Sequence, residues 1–480
     1  MHSHEFDVVV VGGGTAGSIA AIAAARSGAR TCIVEKGGYL GGTCHALANV
    51  TPFHNSRGEA VVGGMAQQLV DRMEQRGGVR PGGHLPNPAG IGGSFTPVDP
   101  DAMKLALLDM ASEAQLHVWL HTMFIGTDTR DATLRSIRVF NKSGLHELRA
   151  RVFVDATGDA DVAADAGAAY EQDVPEAALN ATLLFRVAGV DTQAFIDDVR
   201  TSPHKIVLLA DPYLREVKGL DVQRVMHERV RDIYDCPYIY LSNLVRDYVP
   251  RSDWAEWEII GEDKPQWGRL KPFASRFSIM PVAQRNDIVT LNATSITFDA
   301  TRGDALSRAE VEGQRQLQLA VDVLRRYVPG FRGCFLQSVS PSVSIRASRR
   351  VRGEYMLTRA DVEARRRFHD TIARGAYPMS VQSPEQPNTR RHLFVPDGGD
   401  YDIPYRCLVP ERVDALLVAG RCLSASREAI GSARMGAQCM AYGHAAGVAA
   451  ALAADSQIEP REVPTDRLRA ELRAQGAIVG

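Results

Sequence analysis

The stretch Asp7-Val8-Val9-Val10-Val11-Gly12-Gly13-Gly14-Thr15-Ala16-Gly17 decides the fold. Four consecutive valines read as a strand buried on both faces, because β-branched side chains suit a parallel sheet covered by helices. Gly12, Gly14 and Gly17 follow in GxGxxG spacing and lead into the small-residue run Ser18 to Ala25. In that pattern Gly12 permits the tight turn and Gly14 lets backbone approach a pyrophosphate. Gly17 lets helix and strand pack closely. Thr15 and Ala16 open a helix whose unpaired N–H groups and positive dipole end face the same anion. The next strand, Ala29 to Val34, ends in Glu35, eighteen residues beyond Gly17. A carboxylate there accepts hydrogen bonds from ribose hydroxyls and repels a 2′-phosphate. The glycine motif alone is a weak signal; strand, motif, helix, second strand and acid in register predict a dinucleotide-binding unit.

A chain of 480 residues has room for two domains or more. Lys and Arg total 55 against 57 for Asp and Glu, so a net charge of -2 gives no electrostatic case for nucleic acid. The clusters Arg349, Arg350 and Arg352, and Arg365 to Arg367, read as solvated faces. Seven scattered cysteines without a CxxC pair argue against zinc and against a disulfide framework. They favour a reducing compartment, and the cytoplasm is the expected setting. No segment approaches about twenty apolar residues, so no membrane span is expected, and the first strand is too short for a signal peptide. His2 and His4 read as a frayed terminus rather than a metal site, and no other metal site is expected.

Beyond Glu35, Lys36 leads into two glycine pairs, Gly37-Gly38 and Gly41-Gly42, followed by Thr43, Cys44 and His45. Such spacing suggests backbone pressed against a ligand. Helical spacing resumes from Met65 to Met73. The Gly- and Pro-rich stretch Gly77 to Pro100, with His84 near its middle, reads as a long functional loop or lid. Asp99-Pro100-Asp101 supplies an N-cap and an acidic first turn for a helix to about Gln115. Strands are predicted at Val118 to Ile125, Ser136 to Asn141 and Glu147 to Val154. The last runs into Asp155-Ala156-Thr157-Gly158-Asp159, small residues suited to lie beside a nucleotide, with a carboxylate near its hydroxyls. Asp159 and Asp161 can equally cap the helix that follows.

From about Val174 the glycine motifs stop, and Trp254, Trp257 and Trp267 appear. Leu183 to Val190 and Asp287 to Leu291 read as strands, and Arg308 to Tyr327 as an amphipathic helix. These residues form an inserted second domain whose aromatics are core or lid packing. Cofactor-like signatures return at the far end. Asp414 to Gly420 is another buried strand ending in Gly420 and Arg421. The run from Ser432 through Met435, Gly436 and Ala437 opens a helix of tiny residues, Ala441 to Ala453, free to approach the first βα unit closely. Its N-terminus offers N–H groups to negative charge developing at the pyrimidine end of a flavin.

These runs together resemble FAD-dependent oxidoreductases of the glutathione-reductase-like superfamily. The chain is most similar to the bacterial branch called simply FAD-dependent oxidoreductase. The matching runs are VVVVGGGTAG (8–17) with Glu35, Leu40-Gly41-Gly42, DATGDADVAADAGA (155–168) and RRYVPGF (325–331). They continue with RRVRGEY (349–355), YDIPYRCLVP (401–410) and LLVAGRCLSASREAIGSARMGAQCMAYGHAAG (416–447). The resemblance implies an α/β fold: a Rossmann-like FAD-binding domain with a parallel sheet, helices and a small β-meander. That domain is discontinuous, 1–173 and 337–480, around an inserted α+β substrate domain, 174–336. Met123 joins the residues above as a cofactor-side candidate. Where relatives often carry Arg-Glu-Ser-Arg-Arg, this chain has Arg346-Ala347-Ser348-Arg349-Arg350. Where they carry Asp-Ile-His, it has Ser380-Val381-Gln382. An acid and a histidine available to relatives for proton transfer are therefore missing. A dithiol mechanism is not expected either, since Asn49 stands where disulfide reductases have a second cysteine.

The expected activity is hydride transfer between a small organic substrate and flavin N5, with one proton to be managed by the protein. Proton-transfer candidates are His45, His54 and His84; Cys44 either lies over the flavin or packs. Arg346, Arg421 and Arg427 are candidates to hold a substrate carboxylate or stabilise reduced flavin. With no second nucleotide motif, the electron acceptor is oxygen, a quinone or a protein carrier, and a homo-oligomer is compatible with the sequence. A flavin-dependent monooxygenase is the enzymatic alternative. A non-catalytic binding or escort protein on the same fold is the alternative of another class.

Overall fold

The valine run forms an inner strand of a seven-stranded sheet. The computed structural model describes residues 2–42, 47–87, 91–174, 179–207, 211–263, 266–267, 278–382 and 390–480. Strand β1 (His2–Val11) feeds helix α1 (Thr15–Arg26), and β2 (Thr31–Val34) returns parallel to β1, Val8 opposite Thr31 and Val11 opposite Val34. Val8, Val9 and Val10 are fully buried, as a strand covered on both faces requires. His2 and His4 are not frayed: they extend β1 and pair in register with His146 and Leu148.

Helices α2 (Met65–Gln75) and α3 (Pro100–Glu113) follow, and Asp99 caps α3 by accepting the Asp101 N–H at 2.8 Å. The single strand expected over Val118 to Ile125 is two. Strand β3 (His117–Trp119) takes the sheet edge beside β2, and β4 (Met123–Arg130) opens a meander with β5 (Thr133–Asn141) and β6 (Gly144–Asp155). The chain breaks between β3 and β4 because His121 takes a φ of 50° and the Thr122 N–H turns to the Glu35 carbonyl. The first half of β6 closes the meander. Its last residues lie between β1 and a strand from the far end of the chain, Leu416–Val418, both parallel to it.

The second sheet is antiparallel and separate. Its strands are β7 (Phe185–Ala188), β8 (Ile239–Tyr240), β9 (Ser278–Val282), β10 (Arg285–Asn292) and β11 (Phe335–Val339), in the order β8-β9-β10-β7-β11. Helix α4 (Gly303–Tyr327) buries Ala309, Leu317, Ala320 and Leu324 in a core with Phe195, Leu291 and Phe331. Trp254 and Trp257 pack against that core, and the Trp257 indole donates to the Tyr327 hydroxyl at 2.8 Å. The side chain of Trp267 lies outside the described residues. The boundary expected at 336/337 falls inside β11.

The unit is entered and left through one ladder, Tyr170–Gln172 paired antiparallel with Arg349–Val351. Arg350 beside it is not on a solvated face. It is 2% exposed, holds Asp173 through two bonds of 3.0 and 3.1 Å, and donates to the Ala425 carbonyl. Arg365, Arg366 and Arg367 each pair with an aspartate, Asp397, Asp361 and Asp400 respectively.

The last third closes the first core. Helices α5 (Arg427–Ala433) and α6 (Gly436–Ser456) bring Ile430, Met440 and Ala446 into one cluster with Val8, Ile19 and Leu107. Close approach of α6 to α1 explains its tiny residues. A methyl at Gly443 would lie 2.4 Å from the Ala16 carbonyl oxygen, and one at Gly447 2.1 Å from that of Ala20. Among the described residues no helix is long and apolar enough to cross a membrane, and no cluster of acids, histidines and cysteines is arranged to hold a metal.

Candidate functional site

A cavity of about 1650 Å³ opens at the C-terminal ends of β1 and β2 and reaches the antiparallel sheet. Gly12, Gly14, Thr15 and Ala16 form its floor. Gly12 has a φ of 102°, and a Cβ on it would sit 2.4 Å from the Ala156 carbonyl oxygen. At Gly14 a Cβ would meet nothing within 4 Å, so that position borders open space at the start of α1. No side chain caps α1 there, which leaves its first N–H groups for an anion. Gly17 lies outside the wall and serves packing: its Cβ would fall 1.9 Å from the Gly12 carbonyl oxygen.

Glu35 and Lys36 line the cavity beside this turn. One Glu35 oxygen accepts the Gly13 N–H and the other the Gly37 N–H, each at 2.6 Å. The carboxylate thus braces the turn with half its acceptor sites and keeps the rest for a hydroxyl. The glycine pair at Gly41-Gly42 presses against the first turn. The Gly41 N–H donates to Gly13 O at 2.9 Å, its carbonyl accepts the Thr15 hydroxyl at 3.2 Å, and Gly42 reaches the wall. Gly41 itself stays behind that wall. Thr43, Cys44 and His45 lie outside the described residues. Asn49 does line the cavity, so the position of the missing second thiol faces the site and carries an amide.

Across the floor, Ala156, Thr157, Gly158 and Asp159 form the next wall. The helix cap expected of Asp159 and Asp161 is made by other groups. Asp155 accepts the Thr157 N–H and hydroxyl at 3.0 and 2.7 Å and the Ala163 N–H at 2.9 Å, while Thr157 Oγ1 accepts the Asp161 N–H at 3.0 Å. Burial pushes Asp155 up to about 6 despite these donors. Asp161 is raised by burial and by the charge of Asp159. Asp159 accepts the Ser348 hydroxyl at 2.6 Å and an Arg421 N–H at 3.1 Å. Gly420, Arg421 and Met123 complete this side, Met123 being 56% exposed.

The helix expected to open at Ser432 is broken at Arg434-Met435, and the break faces the cavity: Arg434, Met435 and Gly436 line it. Ser432 and Ala437 do not. The Ser432 hydroxyl is engaged by the Tyr401 hydroxyl and the Tyr377 carbonyl, and the Ala437 N–H donates to Thr51 O.

The catalytic candidates separate in the same way. Arg346 lines the cavity. Arg427 does not, because Ser426 caps α5 and starts the helix with Arg427 3.9 Å from Asp173 at the neck. His54 lies outside the wall, its N–H on Ser94 Oγ at 3.1 Å and its pKa lowered by burial. The stretch around His84 is a folded element, not a free lid: Leu85–Pro86 and Asn49–Val50 flank Ser94–Pro97. Both His84 ring nitrogens are engaged, by Thr96 and Gln67, and the ring stacks on Phe53 at 4.1 Å. Burial holds it near 4.

Two of the wall residues that sequence reasoning missed bear directly on the chemistry. Arg434 stands in a run already quoted, but only the break between α5 and α6 turns it toward the site. His392 lies opposite Ser380 in an antiparallel hairpin, its Nδ1 3.3 Å from the Ser380 hydroxyl. The segment that lacks a histidine in sequence is thereby given one in space.

A glycine turn at the sheet's C-terminal edge, an acid after the second strand, a meander and a facing antiparallel unit define the class of FAD-binding α/β oxidoreductases. The chain belongs to the FAD dependent oxidoreductase family, whose model matches residues 7–472. Its cofactor is FAD. The residues present fit that group: open space borders Gly14, and Asn49 and Arg421 each keep a buried side-chain nitrogen without a partner. Among curated proteins, dihydrolipoyl dehydrogenase of Trypanosoma brucei brucei is 64% identical over 39 residues, 8% of either chain. Leghemoglobin reductase of Glycine max is 60% identical over 42 residues, 9% of this chain and 8% of that one. The chain therefore matches only about 8% of the length of these relatives. Among solved structures, a geranylgeranyl bacteriochlorophyll reductase-like protein from Thermoplasma acidophilum aligns at a TM-score of 0.49 and 11% identity, covering 98% of this chain and 84% of that one. A flavin-dependent brominase aligns at 0.46 and 12%, covering 97% and 83%.

Proposed function

We propose that this protein transfers a hydride between a small organic substrate and FAD, with the substrate held between the nucleotide wall and the antiparallel sheet. The observation that carries this reading is the continuity of the cavity. Gly12, Gly14 to Ala16 and Ala156 to Asp159 bound it on one side, and Thr182, Met280, Asn292 and Thr294 on the other. Its 1650 Å³ exceeds the roughly 300–1,000 Å³ of an ordinary small-molecule pocket, leaving room for a second molecule beside a dinucleotide. FAD, when bound, accepts or donates the electron pair.

The chain's own residues bind, orient and manage the proton. The start of α1 holds a pyrophosphate, Glu35 takes ribose hydroxyls, and Arg421 with Asp159 fixes the far wall. Among the described residues the cavity wall carries one histidine, His392, an imidazole suited to exchange a substrate O–H or N–H proton. His45 is the second candidate for that role. Oxygen, a quinone or a protein carrier takes the electrons onward. A reducing compartment such as the cytoplasm suits six described cysteines that are all buried.

The test is anaerobic mixing of the yellow protein with small alcohols, amines and hydroxy or amino acids. One chemical class should bleach the flavin band without any nicotinamide cofactor. Reduction by a nicotinamide cofactor alone, followed by oxygen-dependent hydroxylation of a substrate, would replace this reading with a monooxygenase. Spectra indifferent to every substrate and reductant would leave only a binding protein.

A further inference from the structure

Among the described residues, two arginines in the cavity wall have no carboxylate partner. Arg346 faces it from the segment after β11, its guanidinium donating to the Asn180 carbonyl at 2.5 Å and to Asn292 Oδ1 at 3.3 Å, both neutral. Arg434 faces it from the break between α5 and α6, on the nucleotide side, and its Nε is buried without a partner. Neither forms an ion pair with any described residue. Four acids of the wall are committed elsewhere: Glu35 to the Gly13 and Gly37 N–H groups, Asp159 to Arg421 and Ser348, Asp161 to Arg349, and Asp165 to Thr127. The phenols of Tyr238, Tyr240 and Tyr377 stand near Arg346, all three in the same wall.

Two half-buried guanidiniums with no counter-charge among the described residues are an unfavourable arrangement, since an unpaired charge drawn out of water loses solvation that nothing replaces. Burial lowers the pKa of Arg346, and burial together with the Arg346 charge brings Arg434 down to about 10. An anion lying between them removes that cost, and a planar carboxylate matches the fork of a guanidinium. Arg346 is anchored to the antiparallel unit and Arg434 to the nucleotide-binding unit, so a group touching both sits where the two units meet.

We infer that Arg346 and Arg434 form a carboxylate clamp, and that the substrate is a small organic acid. This rests on the hydride-transfer reading and narrows it to a substrate class.

The FAD-loaded protein is titrated with succinate and benzoate, and with the matched neutral amides succinamide and benzamide, following the flavin spectrum and the heat of binding. At least one acid should bind saturably and its amide should not. Arg434→Gln and Arg346→Gln should each weaken that acid by about tenfold or more while retaining FAD. Arg434→Lys, which keeps the charge but loses the fork, should recover part of the loss. The wild-type comparison of acid with amide needs no variant, so a misfolded variant does not rescue the idea. Equal binding of acids and amides overturns the clamp. So does a variant that shifts the flavin reduction potential while acid affinity stays unchanged, because the arginine then serves the flavin. Bleaching by a neutral alcohol with no effect of any acid also overturns the clamp but keeps hydride transfer. Acid binding with no reducible flavin upholds the clamp and removes the hydride reading.

Discussion

A methyl group at Gly14 and one at Gly12 should fail differently, although both glycines border the same turn. Gly14 has a φ of -68°, which any residue tolerates, and its Cβ would meet nothing within 4 Å. Gly14→Ala should therefore keep the apoprotein's melting temperature and weaken FAD, by about tenfold or more, by filling the space a phosphate needs. Gly12→Ala puts a Cβ at 2.4 Å from a backbone oxygen in a left-handed conformation. It should cost about 2 kcal/mol or more of stability and yield colourless protein. Melting curves of the two apoproteins beside flavin titrations check both outcomes; equal melting losses would refute the distinction. His84 makes a prediction of another kind. Its folded pKa near 4 lies below the ordinary 6.5, so between those values the unfolded chain binds a proton the folded one does not. The stability this contributes is complete above about pH 6.5 and is lost as pH falls toward 4, on the order of 2 kcal/mol for a partly exposed ring. The denaturation midpoint of His84→Gln should vary less with pH across that window than the wild type. His54 and His444, lowered in the same direction, and Asp155, raised into the same window with the opposite sign, contribute to both proteins alike, so the comparison isolates His84.

At the scale of elements, the contact of α1 with α6 joins the two ends of the chain. Gly447→Val places branched atoms where even a methyl would be 2.1 Å from the Ala20 carbonyl oxygen. Backbone cannot yield there without moving a helix off the central sheet, so the loss should reach about 3 kcal/mol, read from the denaturant midpoint. This contact was legible in sequence, because a helix of alanine and glycine has little to bury except by close approach. The turn at Gly12 and the acid at Glu35 were legible for a similar reason: each is a local device whose chemistry is complete within a few residues. Breaks were not legible. The step at His121 that splits β3 from β4 depends on a hydrogen bond from Thr122 to Glu35 O, a partner almost ninety residues away. The break that turns Arg434 into the cavity lies in a run with no proline to announce it. Pairings across sequence were equally hidden. Arg350 looks like one of a solvated cluster until Asp173 is brought beside it. Ser432 looks like a cofactor contact until Tyr401 is placed against its hydroxyl.

For the whole molecule, the narrow neck sets what can be removed. The antiparallel unit has its own core, from Ala181 to Val343, and the nucleotide-binding unit's main core draws on residues up to Ala156 and from Leu357 onward. Between them the chain passes through Tyr170–Gln172 and Arg349–Val351, with Gln172 directly opposite Arg349. Residues so paired are about 5 Å apart, a gap that a two-residue turn closes. Replacing 173–348 by Asn-Gly should therefore convert the neck into a hairpin and leave the first core intact. Several bonds to the retained part are lost with the insert, among them the paired Arg350–Asp173 contacts, the Ser348 hydroxyl on Asp159 and the Gln284 amide on Val79 O, so the product should be less stable and hold FAD more weakly. It should still fold, because β1, β2, β6, α1 and α6 are untouched, and it should turn yellow with added FAD. Substrate-dependent bleaching should vanish, since Thr182, Asn292 and Arg346 leave with the insert. Circular dichroism and flavin titration of the shortened protein decide the matter. If it folds but refuses FAD, the antiparallel unit holds the cofactor, and the division between a nucleotide wall and a substrate wall is wrong.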